Sequence, residues 1–127
     1  MDLLPFERST ALWQRAAYLQ RRLEQLVHRA PPGSLDPADV GAVTELLWAF
    51  RARSRATQHR LDAGERLGAE TSVDKVLVAT AEQALFELAG DALGTEIALG
   101  DDPASGLWRA EFLYARAASI YGGSAEI

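Results

Sequence analysis

The sequence predicts an all-α protein, an up-down antiparallel four-helix bundle, on three observations. Four segments carry apolar residues at alternating spacings of three and four, the repeat of one helix face. Stretches rich in Gly, Pro and Asp separate them. No segment sustains the every-second-residue alternation of a half-buried strand. Short connections favour antiparallel neighbours. The chain has 127 residues, 48% of them apolar, enough to bury one core, so residues 1–127 are expected to form a single domain.

The first helix is expected from about Pro5 to Arg29. Leu12, Ala16, Leu19, Leu23, Leu26 and Ala30 share one face. Pro31, which lacks an N–H and crowds the preceding turn, stops it within Ala30-Pro31-Pro32-Gly33-Ser34. The second starts at Asp36-Pro37, an N-cap followed by proline at the first helical position, with Asp39 adding negative charge there. Val40, Val43, Leu47, Phe50, Ser54, Thr57 and Leu61 form its stripe, and Gly64 and Gly68 mark its end and the following loop.

The third starts near Thr71 or Ser72, where Thr71 and Asp74 resemble a capping box. Leu77, Ala81, Ala84, Leu85 and Leu88 form its stripe, and Gly90 to Gly94 is expected to end it. A loop from Thr95 to Gly106 follows, long enough to be functional or mobile. The fourth helix is expected from Leu107 to Tyr121, with Ala110, Leu113, Ala117 and Ile120 inward. Gly122-Gly123 breaks it. Ser124 has the character of a further N-cap, and the chain stops at Ile127, which suggests a helix begun and cut off.

Composition removes several kinds of chemistry. There is no cysteine, so disulfides, thiolate nucleophiles and cysteine-ligated metals are excluded. No basic-then-apolar leader and no apolar run near ~20 residues is present, so no membrane association and a cytoplasmic location are expected. A net charge of -5 disfavours nucleic acid. Arg51, Arg53, Arg55 and Arg60 cluster in one segment and could meet an anion, though a solvated helix face is the ordinary reading. His28 and His59 follow no nucleophile elbow, and neither completes the Glu-x-x-His pair of a di-iron bundle, so no metal site is expected.

Two stretches remain. In Leu3-Leu4-Pro5-Phe6-Glu7-Arg8-Ser9 an acid sits in the first turn of a helix, where the macrodipole alone accounts for it. In Tyr114 to Ile127, two glycines strip side chains from the backbone between two helices. That lets a flat ligand approach, and the following helix start offers free N–H groups.

Arg116 to Ile127 resembles the signature of the acyl-CoA dehydrogenases, Arg-Ala-x-x-Ile-Tyr-Gly-Gly-Thr/Ser-x-Glu-Ile-Gln-Arg-Asn, up to the last residue. Ser72-Val73-Asp74-Lys75-Val76-Leu77 is similar to the Lys-bearing start of a bundle helix in that family's C-terminal domain, and Phe6-Glu7-Arg8 to the Glu-Arg of its first helix. The resemblance implies the C-terminal four-helix bundle of a larger FAD-dependent enzyme of fatty-acid metabolism, whose N-terminal and β domains, or a partner subunit, are supplied elsewhere. It implies α,β-dehydrogenation of an acyl-CoA or related acyl thioester.

In one group of the family the base follows the signature Tyr, where this chain has Gly122. In another it is the Glu before Arg on the first helix, which makes Glu7 the expected base. A raised pKa from burial suits that task. The Gly122 N–H is the expected donor to the thioester carbonyl. Gly123, Ser124, Ala125 and Glu126 match the segment that contacts FAD. Arg8 is expected to orient Glu7 or approach the CoA moiety.

Ala30 to Asp36 departs from the family's Arg-x-Phe-Gly stretch, and Ala89-Gly90-Asp91-Ala92-Leu93-Gly94 departs from its Gly-Gly-x-Gly loop. Such losses fit an alternative, a non-catalytic helical partner subunit of a heteromeric dehydrogenase. A third reading is a relative acting on carrier-protein thioesters or as an oxidase. A homo- or hetero-oligomer is expected, and the isolated chain is not expected to retain FAD or to be active alone.

Overall fold

A computed structural model describes the backbone of residues 4–118 and 120, and the side chains from residue 12 onward, residue 119 excepted. Helix α1 spans Leu4–Arg29, α2 Pro37–Asp62, α3 Thr71–Leu99 and α4 Pro103–Tyr114, and a 3-10 turn, Ala115–Ala117, extends α4. There is no strand among the described residues. α1, α2 and α3 pack against one another, and α4 packs along α3. Between α1 and α4 the backbones stay apart, and only long side chains bridge the gap.

The expected stripes of α1 and α2 are the core. Leu12, Ala16, Leu19, Leu23 and Leu26 meet Val43, Leu47 and Phe50, with Val78, Leu85, Phe86, Leu93 and Ile97 from α3. Asp36 caps α2 as expected, its side chain accepting from the Ala38 N–H at 2.9 Å. Gly64 follows the helix at φ +82°, a left-handed conformation that glycine adopts without a Cβ penalty.

Several expectations need correction. Thr71 and Asp74 form no capping box: the residue before the helix, Glu70, makes no side-chain cap. The Thr71 hydroxyl instead donates to the Gly68 carbonyl, and Asp74 is buried and accepts from Arg53. The third helix does not stop at Gly90 to Gly94. It kinks at Leu93 (φ -115°, ψ 21°) and continues to Leu99, because Leu93 and Ile97 are both buried in the core. Packing of these two side chains outweighs the weak helix propensity of the glycines.

The twelve-residue loop from Thr95 to Gly106 is correspondingly absent, and the turn between α3 and α4 is only residues 100–102. Asp102 starts α4 as Asp36 starts α2. Its carboxylate accepts from the Ser105 N–H at 3.0 Å and the Ser105 hydroxyl at 2.5 Å, and Pro103 opens the helix. Arg109 closes α3, donating to the Ile97 and Gly100 carbonyls at 2.6 and 2.5 Å.

The expected inner face of the fourth helix is its outer one. Ala110, Leu113 and Ile120 are exposed, and Ser105, Trp108, Glu111, Ala115 and Ala118 are buried. The core takes in Glu111 because α1 supplies its partners.

Candidate functional site

Arg15, Tyr18 and Arg22 recur at spacings of three and four on α1, so they share a face beside the Leu19–Leu23 stripe. That face looks towards α3 and α4. Arg15 donates to Glu82, which is 0% exposed in the middle of α3. The Tyr18 hydroxyl donates to Glu111 of α4, and Arg22 Nε donates to the other Glu111 oxygen at 2.7 Å. Arg22 also donates to Gln25 at 2.6 Å, and its guanidinium lies 3.5 Å from the centroid of the Trp108 ring. Trp108 in turn meets Phe86 of α3 edge-on, centroids 6.1 Å apart.

Burial pushes the Glu111 carboxyl up to about 7, with the Arg15 charge opposing. Burial, and then the like charge of Arg29, lowers Arg22 from its ordinary value. Arg22 Nη2 is buried with no hydrogen-bond partner among the described residues. The cluster is a tie between helices. Glu82 meets Arg15 there, and Glu111 meets Tyr18 and Arg22. Arg22 and Trp108 also form part of the wall of a groove of about 560 Å³, shared with Arg21, His28 and Arg29, that is open to solvent.

A half-buried ion pair joins α2 to α3, Arg53 Nε to the buried Asp74 at 3.0 Å. It divides the basic cluster of α2. Arg53 and Arg60 are committed, Arg60 to Glu65 and Glu70, whereas Arg55 makes no ion pair among the described residues. His28 and His59 are exposed on α1 and α2. No group of three His, Asp or Glu among the described residues is arranged to hold a metal ion. No helix among them is long and apolar enough to cross a membrane.

Glu7 and Arg8 belong to the first turns of α1, and their side chains lie outside the described residues. Gly122, Gly123, Ser124, Ala125 and Glu126 lie outside them as well. Arg116, where the signature begins, is in the 3-10 turn, 4.7 Å from the Phe112 ring and 3.5 Å from a Glu87 oxygen.

Sequence reasoning passed over Glu82 and Glu111. The available signal was Arg15, Tyr18 and Arg22 flanking an apolar stripe, with acids inside the apolar segments of two other helices. No family model, curated protein or solved structure matches the chain.

Proposed function

We propose that the chain is the C-terminal helical domain of an FAD-dependent acyl-CoA dehydrogenase-like enzyme, which introduces an α,β double bond into an acyl thioester. The observation that carries this reading is helix register. Along α1 and α4, Arg29 approaches Asp102, Arg22 stacks on Trp108, and Tyr18 reaches Glu111. Each step back along α1 is a step forward along α4. An antiparallel α1 and α4 are what a meeting of Glu7 with the Tyr121-Gly122-Gly123 stretch, which lies outside the described residues, would need. The resemblance requires that meeting, because it puts the base and the backbone donor around one thioester.

The other pairings support an up-down four-helix bundle. Arg15 with Glu82 and Arg29 with Glu96 are both 67 residues apart, so α1 and α3 run the same way. Arg53 with Asp74, and Arg51 over Trp13, set α2 against both. The exposed apolar side of α4, with Leu107, Leu113, Tyr114 and Ile120, is a surface on which the enzyme's other domains would pack.

FAD, which Gly123, Ser124, Ala125 and Glu126 would help to hold, would supply the acceptor for the β-hydride. The Glu7 carboxylate takes the α-proton. The Gly122 N–H donates to the thioester carbonyl and stabilises the charge that develops there. Gly123, Ser124, Ala125 and Glu126 carry backbone to the flavin, and Arg8 orients Glu7 or meets the CoA moiety.

The test uses the full gene product. The expected preparation is yellow, releases FAD on denaturation, and reduces an electron acceptor when given acyl-CoA. A colourless product without acyl-CoA-dependent turnover overturns the reading. One observation favours the non-catalytic partner subunit instead: Ala89 to Gly94, matched to a flavin-supporting glycine loop, lies within α3. That alternative predicts a colourless chain that copurifies with a flavin-bearing subunit.

A further inference from the structure

The outer face of α2 carries a complete heptad seam that none of the described residues covers. Ala38, Gly41, Glu45, Trp48, Ala52, Arg55, His59 and Asp62 recur at spacings of three and four, and all are exposed. Trp48, 66% exposed, stands near the centre of the helix. This 3.5-residue period is the repeat by which two helices wrap around each other. Along one flank run Ala42, Ala49 and Ala56, all exposed, whose small side chains permit close approach.

The seam is complementary to itself when reversed. About a twofold axis near residue 50, Trp48 faces Ala52 of a second copy, His59 faces Gly41, and Asp62 faces Ala38. Each large side chain meets a small one. Glu45 faces Arg55, an acid against a base. The halves of the helix also differ in charge. The first half carries Asp36, Asp39 and Glu45 without a basic residue, and the second carries Arg51, Arg53, Arg55, His59 and Arg60 against Asp62 alone. Antiparallel pairing sets each half, and each end of the helix dipole, against its opposite. A shallow groove of about 510 Å³, with Arg51, Ala52, Arg55 and Ala56 on its walls, adjoins Trp48 and offers room for the second copy's indole.

We infer that this face of α2 is an isologous interface, on which a second copy of the chain docks its own α2 in antiparallel register. The inference uses α2 alone and does not depend on the flavoenzyme reading. A single helix pair is smaller than the roughly 1,200 Å² of total buried surface of standard interfaces, so the contact is expected to be concentration-dependent when no other interface reinforces it.

The test measures the mass of the full chain in solution by light scattering and sedimentation over a dilution series. Dimers, or assemblies of dimers, are expected at low salt. Arg55→Glu and Glu45→Arg are each expected to weaken association at least tenfold, and so is Trp48→Ala. The double variant Glu45→Arg, Arg55→Glu restores the opposite charges and should recover association. All these side chains are exposed, and circular dichroism checks that helix content is unchanged. A chain that remains monomeric at about 100 μM, beyond what even a weak interface of this size should need, overturns the inference. So does association that the three single variants leave unmoved, or a charge-swapped double variant no better than either single one.

Discussion

At the scale of the residue, Glu111 is an acid that the fold encloses. It is buried, yet it accepts from both Tyr18 and Arg22. Its carboxyl holds a proton up to about 7, above the ordinary 4.5. The folded state therefore binds that proton more tightly than the unfolded chain. The stabilisation is full below pH 4.5 and is lost as pH rises through about 7. The loss is at most about 3 kcal/mol, at roughly 1.4 kcal/mol per unit. Chemical denaturation should thus find the chain more stable at pH 5 than at pH 8, with Glu111→Gln flattening the difference. Equal stability of the unaltered chain at the two values would remove Glu111 from the account. None of this was legible in advance. A single sequence places Glu82 and Glu111 in apolar surroundings but does not say that Arg15, Tyr18 and Arg22 are opposite them.

At the scale of the element, the starts of helices were more legible than their ends. Asp36-Pro37 reads as a start in the sequence, and the same pair at Asp102-Pro103 does not, because Gly90 and Gly94 read as the end of α3, whereas burial of Leu93 and Ile97 carries that helix across its kink. The stop is at Gly100. A Cβ there would overlap the Ser105 side chain and approach the Glu96 carbonyl oxygen at 2.6 Å. Gly100→Ala should therefore cost about 1–3 kcal/mol, as overpacking does. A thermal melt checks this, and an unchanged midpoint would mean that the turn has room to relax.

The face of α4 differs from its apolar pattern for a related reason. Leu113 and Ile120 read as core residues because they are apolar, whereas the ties to α1 turn the Glu111 side inward and leave both exposed.

At the scale of the molecule, the all-helical class and the stripes of α1 and α2 followed from periodicity alone. Phe50 stands at their centre with no exposure. Phe50→Ala should cost about 3–5 kcal/mol, enough to unfold a marginal domain. Loss of the cooperative melt measures this, and a variant as stable as the parent would contradict the packing described. That α1 and α4 run antiparallel is a property of the whole bundle, carried by the contacts of Tyr18, Arg22 and Arg29 with α4 and its start.

The most direct measurement is the anaerobic bleaching of flavin by acyl-CoA in the full gene product, unaltered and as Glu7→Gln. The account predicts rapid bleaching in the first. In the second it predicts bleaching slowed about 10²–10⁴-fold, the usual worth of a general base, with flavin content and thioester binding retained. Equal bleaching by the two proteins would contradict it.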